Sequence, residues 1–283
     1  MKLRMLWAVA SGAALASLAL VGCGGSAEKK PDQGGAKPAQ TDGGKKIAQE
    51  LKVIDYSGII KGRVTFGGSE AEMKVTMIKP TKDQDKCPKE LPQQGWYVKD
   101  AKTKGIQYAV VFLRAPRGTR LPKPPKELED PKTPEQVIRQ PHCQFEPRVV
   151  LLHPKQKLRG VNDSQPPINH DVNISGTKNN FTRTLPPGQD VVYDLQPDNS
   201  APNNVLCAQH QGMMSGYVWK FDHPWAVVTN ENGEYELQHV PVVEGGKLLL
   251  VVWHEMLPKP GFKEVGEIEL KPKETLTRDI TLP

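Results

Sequence analysis

Cys207-Ala208-Gln209-His210-Gln211-Gly212-Met213 sets a thiol, an imidazole and a thioether at intervals of three residues. Soft sulfur donors beside an imidazole nitrogen select copper among the first-row metals, and two imidazoles, one thiolate and a weak axial thioether make an electron-transfer set. The seven residues supply three of those four donors, so a second imidazole has to come from elsewhere in the chain. Met214 adjoins Met213 and is the alternative thioether.

The missing donor lies upstream. Phe145-Glu146-Pro147-Arg148-Val149-Val150-Leu151-Leu152 and Leu158-Arg159-Gly160-Val161-Asn162 read as two strands, followed by Pro167-Ile168-Asn169-His170-Asp171-Val172. Two strands, an Asn closing the second, and Pro-x-x-His leading into the next resemble the cupredoxin (blue-copper, plastocyanin-like) pattern. The short Cys-x-x-His-x-x-Met loop is similar to that of the amicyanins. The resemblance covers roughly residues 143–221 and implies a type 1 copper centre cycling between Cu(I) and Cu(II). His170 and His210 would be its imidazoles, Cys207 its thiolate and Met213 its axial ligand. Asp171 stands where the family usually carries Asn, which implies a different hydrogen bond and charge beside the first ligand, and such neighbours tune a metal strongly.

With Cys207 assigned to copper by that resemblance, and Cys23 to lipid as described below, Cys87 and Cys143 are left to pair. A disulfide between them would close a long loop and add about 4 kcal/mol on the chain-entropy account. A second metal site is the other use for the two thiols, but neither lies in a Cys-x-x-Cys pair, and His142 is too close to Cys143 in sequence to be its natural companion.

The flanks carry a second pattern. Ile59 to Phe66 ends in Gly67-Gly68, and Tyr108 to Leu113 is a compact β-branched and aromatic run. On the far side, Tyr217 to Trp225 precedes Ala226-Val227-Val228, an Asn232-Gly233 turn that predicts a hairpin, and the runs Leu248–Trp253, Glu267–Leu270 and Leu276–Leu282. These two parts resemble the halves of a carboxypeptidase regulatory-like (transthyretin-like) β-sandwich. The resemblance implies a sandwich of residues 51–116 and 222–283, interrupted by a Pro-rich excursion and cupredoxin-like domain at 117–221. Between Arg114 and Gln140 the composition turns to Pro, Lys, Arg and Glu, which predicts an irregular exposed segment. His223 and Trp253-His254-Glu255 contain further imidazoles, but neither has a metal-ligand spacing of its own.

The N-terminus reads as an export signal. Lys2 and Arg4 precede an apolar run from Leu6 to Val21, which is shorter than the ~20 residues needed to span a bilayer. Leu20-Val21-Gly22-Cys23 resembles a bacterial lipobox, which implies cleavage of residues 1–22, acylation of Cys23 and a place in the cell envelope. Gly24 implies the outer membrane in a cell that has one, rather than retention at the inner membrane. Residues 23–50 are rich in Gly, Lys, Pro, Gln and Ala and predict a flexible tether.

Composition sets the outer limits. Aromatic residues make up 6% of the 283 residues while Gly and Pro number 25 and 26, which suits short strands and turns and predicts an all-β protein, a Greek-key sandwich of cupredoxin type beside a second sandwich. The formal charge of +6 falls by two without Lys2 and Arg4, and no dense basic run with interleaved aromatics appears, so nucleic acid is not an expected partner. No nucleophile elbow, metalloprotease helix, haem motif or phosphate loop is present, so an enzyme is not expected. The expected function is that of a lipid-tethered copper protein passing single electrons to other envelope redox proteins through an exposed histidine edge. Copper handling without electron traffic, and a binding module with a vestigial site, are the alternatives.

Overall fold

Strands buried on both faces read as unbroken apolar runs, whereas strands with one wet face alternate. Val110-Val111-Phe112-Leu113, Val149-Val150-Leu151-Leu152 and Leu248 to Trp253 are of the first kind, and these three runs organise the molecule. A computed structural model describes residues 48–283; the apolar leader, Cys23 and most of the tether lie outside the described residues. The described residues belong to one compact unit.

Strands β1 (Val53–Phe66) and β2 (Val110–Arg114) come first. The chain then builds β3 (Glu135–Arg139), β4 (Val149–Leu152), β5 (Lys157–Val161), β6 (His170–Ser175), β7 (Asn180–Leu185), β8 (Asp190–Tyr193), β9 (Asn203–Leu206) and β10 (Ser215–Lys220). It returns with β11 (Ala226–Val228), β12 (Glu234–Val243), β13 (Leu248–Trp253), β14 (Phe262–Ile268), β15 (Thr275–Thr277) and β16 (Ile280–Leu282). Helical pieces among the described residues are one 3-10 turn, Glu70–Met73, and one short helix, Lys126–Glu129. The fold is all-β.

Four sheets result. Strands from the two ends of the chain make the orders β11-β2-β13-β14 and β12-β1-β15, with β16 also paired to β1. The middle of the chain makes the orders β7-β6-β9-β10-β4 and β8-β5-β3. Each pair of sheets encloses a core. Ile60, Val64, Val111, Leu113, Leu250 and Val252 fill the first, and Ile138, Val150, Leu152, Leu158, Val172 and Val218 the second.

A third core joins the two sandwiches. The period-2 alternation of a strand sends Val111 and Leu113 into the first core and Val110 and Phe112 to the opposite face. There they meet Val149 and Trp219, whose neighbours Val150 and Val218 point the other way, into the second core. Phe112 packs edge-on against Trp219 at 5.2 Å. A buried ion pair reinforces this joint: Arg148 Nε and Nη2 each donate to a Glu255 carboxylate oxygen at 2.7 Å, with both side chains nearly inaccessible.

Three sequence expectations need correction. The exposed excursion contains β3, which lies parallel to β5 and buries Ile138; that is the one fully buried residue of its five, so its composition reads as polar. The last residues assigned to the tether are not free, because Gln49–Glu50 pairs in parallel with Thr119–Arg120. The Asn232-Gly233 turn does not close a hairpin. β11 pairs with β2 while β12 pairs with β1, so the turn crosses from one sheet to the other. Gly233 has φ +75°, and a Cβ there would stand 2.3 Å from the Val64 carbonyl oxygen, so close approach of the opposite sheet requires the glycine.

Candidate metal centre

The donors come from two adjacent strands of the five-stranded sheet. His170 opens β6, and Cys207 follows the last residue of β9. Beyond Cys207 the chain turns tightly: His210 N donates to the Cys207 carbonyl, Met213 and Met214 N donate to the His210 carbonyl, and Cys207 N donates to the Met214 carbonyl. Gly212, at φ +77°, permits the reversal. The turn swings His210 back over Cys207 and leads directly into β10.

The segment before His170 is also held from within. Asn162 donates through Nδ2 to the carbonyls of Ile168 and Leu185, at 2.8 and 2.7 Å, and Ser164 Oγ exchanges hydrogen bonds with the Ile168 backbone. The Asn that closes the second strand therefore sets the position of the first imidazole. Full burial of this amide also removes Asn162 as a glycosylation acceptor, although Asn162-Asp163-Ser164 has the triplet.

Three donor atoms converge. His170 Nδ1 and His210 Nδ1 are 3.1 Å apart, and Cys207 Sγ lies 3.8 Å from the first and 3.6 Å from the second. All three residues are buried. Metal bonds of about 2.0 Å to nitrogen and 2.3 Å to sulfur, spread in a plane, would separate their donors by about 3.5 Å (N to N) and 3.7 Å (N to S). The observed triangle has nearly those edges, so the side chains fit one small cation of the borderline-soft class.

Protonation agrees with that fit. Burial, with the neighbouring His210, pushes the His170 pKa down to about 4, and burial lowers that of His210 while Asp83 opposes the change. Both imidazoles are neutral near pH 7 and able to present lone pairs. Burial raises the pKa of the Cys207 thiol, so a cation binding there displaces a proton. The Asp171 N–H, 3.2 Å from Cys207 Sγ, is placed to stabilise the resulting thiolate. The Asp171 carboxylate accepts from Gln209 N at 3.2 Å, tying β6 to the ligand turn.

One segment that the sequence analysis left out covers this centre. Residues 76–93 leave the first sandwich, with Met77–Ile78 paired to Leu91–Pro92, and lie across the ligand turn. Asp83 Oδ2 is 3.0 Å from His210 Nε2; a proton on Nε2 donating to it leaves Nδ1 free for a cation. Lys82 Nζ donates to Gln209 Oε1, and Gln93 Nε2 donates to the Met213 carbonyl. A disulfide joins Cys87 of this segment to Cys143. The exposed histidine edge expected from the sequence is therefore absent: the His210 side chain is 0% exposed, because Asp83 and its neighbours cover it.

Met213 is placed differently from the three. Its thioether accepts from Thr81 N and Oγ1, both at 3.3 Å, and its side chain packs with the disulfide, Leu91 and Ile168. Met214 packs in the core of the second sandwich with Cys207. The other buried imidazoles serve the fold. His254 accepts from Met256 N and stacks on Trp96, and His223 accepts from Trp225 N. Lys82-Asp83 carries no motif; a disulfide tying Cys87 to Cys143 was the one sequence signal that could have brought the segment near the ligands.

No protein-family model matches the chain, and no curated protein matches it. Among solved structures, a copper-containing nitrite reductase from Thermus scotoductus SA-01 aligns over 30% of this chain and 22% of its own, with 15% identity and a TM-score of 0.27. The chain thus spans little more than a fifth of that enzyme. A purple cupredoxin from Nitrosopumilus maritimus aligns over 30% of this chain and 97% of its own, with 13% identity and a TM-score of 0.25.

Proposed function

We propose that this chain is a cupredoxin-like copper protein of the cell envelope, held to a membrane through lipid on Cys23, that takes up and passes on single electrons. The observation that carries the reading is the triangle of His170 Nδ1, His210 Nδ1 and Cys207 Sγ, buried and sized for one cation. Copper bound there would supply a Cu(I)/Cu(II) couple. The residues around it supply the rest: the Asp171 N–H steadies the thiolate, Asp83 fixes the His210 ring and its tautomer, and the covering segment keeps water out. Ligands held by packing and by hydrogen bonds need little rearrangement when the charge changes, which favours electron transfer over chemistry on a substrate.

Copper handling is a second reading, favoured by Met213. Its sulfur accepts two hydrogen bonds from Thr81, and a donor set reduced to two imidazoles and a thiolate suits holding Cu(I) as well as cycling it. Visible absorption and electron paramagnetic resonance during titration with Cu(II) test both. An intense thiolate-to-copper band that disappears and returns over a reversible one-electron cycle supports the carrier. Stoichiometric Cu(I) uptake with no stable Cu(II) form supports handling, and folded protein that takes up neither ion overturns both.

A further inference from the structure

A second group of metal-ligating atoms lies against the first. The sulfurs of Cys87 and Cys143 and a ring nitrogen of His210 all lie within 4.8 Å of one another, and all three residues are buried. The sequence offered His142 as the imidazole nearest Cys143, whereas the fold brings His210 there from the ligand turn. The covering segment makes the meeting possible: Cys87 N donates to the Asp83 carbonyl, and the Asp83 carboxylate in turn receives His210 Nε2. Ile168, Leu91 and Met213 close the surroundings with apolar and thioether groups.

We propose that Cys87, Cys143 and His210 form a second, redox-dependent site for Cu(I) once a dithiol reduces the disulfide. The exchange balances in two steps. A thiolate of the reductant attacks one sulfur, the Cys87–Cys143 bond breaks and a mixed disulfide forms; the reductant's second thiol then resolves it, leaving the reductant as a disulfide and both cysteines as thiols. Two electrons move from the reductant to the protein. Cu(I) binding displaces the thiol protons to solvent and leaves the metal oxidation state unchanged. Two thiolates and an imidazole are soft donors suited to a monovalent copper ion, whereas the oxidised pair offers only weakly donating disulfide sulfur.

Sharing of His210 gives the site its position in the molecule. A cation held by Cys87 and Cys143 sits one ligand exchange away from His170 and Cys207, inside the same cover. The oxidised pair acts instead as the bond that keeps residues 76–93 closed over the first set.

The test uses full-length protein carrying Cys207→Ala, which removes the thiolate of the first set and so keeps the outcome independent of the function proposed above. The protein is reduced with a dithiol, desalted without oxygen and titrated with Cu(I) against a competing chelator. The reduced form is expected to bind one equivalent and the oxidised form to bind at least 100-fold more weakly, with the uptake lost on adding Cys87→Ser. Equal uptake by the two forms, or uptake that survives Cys87→Ser, overturns the proposal. Because Cys87→Ser removes a buried bridge and can disturb folding, a second measurement uses the unaltered sequence. Cu(I) is expected to slow maleimide labelling of Cys87 and Cys143 in the reduced protein at least tenfold, read by mass spectrometry of their peptides, and unchanged labelling of both counts against the site. Failure of the first centre is read separately, as the absence of a thiolate-to-copper band in oxidised, unaltered protein.

Discussion

His170 and His210 on one side, and His223 and His254 on the other, are equally buried yet differ in what their nitrogens meet. The first two direct Nδ1 toward each other and toward a thiol. In the second two, Nδ1 accepts a backbone N–H two residues further along, and the rings stack against Trp225 and Trp96. Burial lowers the pKa of all four. A neutral buried imidazole is therefore no mark of a site in this protein; convergence of lone pairs with a sulfur is.

The hardest break of this comparison is at its centre. Cys207→Ala and His170→Ala should each abolish the visible band and stoichiometric Cu(II) uptake, whereas His254→Gln should leave both intact. Copper titrations followed by absorption decide this, and a His254→Gln variant that lost copper would erase the distinction. Next in size is the ion pair at the joint between the sandwiches. Burial alone would lower the Arg148 pKa, but Glu255, through its hydrogen bonds and charge, raises it. Glu255→Ala strands that guanidinium and should cost about 3–5 kcal/mol in denaturant unfolding, with copper stoichiometry unchanged in the folded fraction.

Asp83 sharpens the comparison on the copper side. Asp83→Ala removes the carboxylate that orients His210, and it should weaken copper affinity by about 10–100-fold and shift the reduction potential. A purely structural role would lower the melting temperature and leave the potential of bound copper in place. The last contrast, smallest near neutral pH, belongs to the structural pair. Burial pushes His223 down to about 4 and His254 to about 3, below the usual 6.5 of an unfolded chain. As pH falls the unfolded state takes up these protons first, so stability is full above about pH 6.5 and drains toward pH 4, by up to about 1.4 kcal/mol per pH unit for each histidine. Thermal melts across that range should show the slope, and His254→Gln should flatten it by its share.

Much of this was legible in the primary structure because it is local. Cys207 and His210 are three residues apart on a turn closed by a glycine, and strands buried on both faces announce themselves as runs such as Val110 to Leu113. The misreadings fell where local chemistry is ambiguous. Asn232-Gly233 favours a tight reversal, but whether the arms pair with each other depends on β1 and β2, which claim them for opposite sheets. The polar residues of β3 concealed a strand because Ile138 is the one residue of its five that is fully buried.

By itself the chain's order of residues determined the donor types, the turn that joins two of them and the all-β layering, since each follows from spacing, periodicity and side-chain chemistry over a few residues. Tertiary structure alone decided that Asp83 meets His210 across 127 positions, that Arg148 meets Glu255 across 107, and that Met213 offers its sulfur to Thr81. Those contacts depend on how one sandwich is laid against the other. That arrangement is set by the sum of many weak apolar contacts between Phe112, Trp219, Trp253 and their neighbours, none of which carries a local signal of its partner.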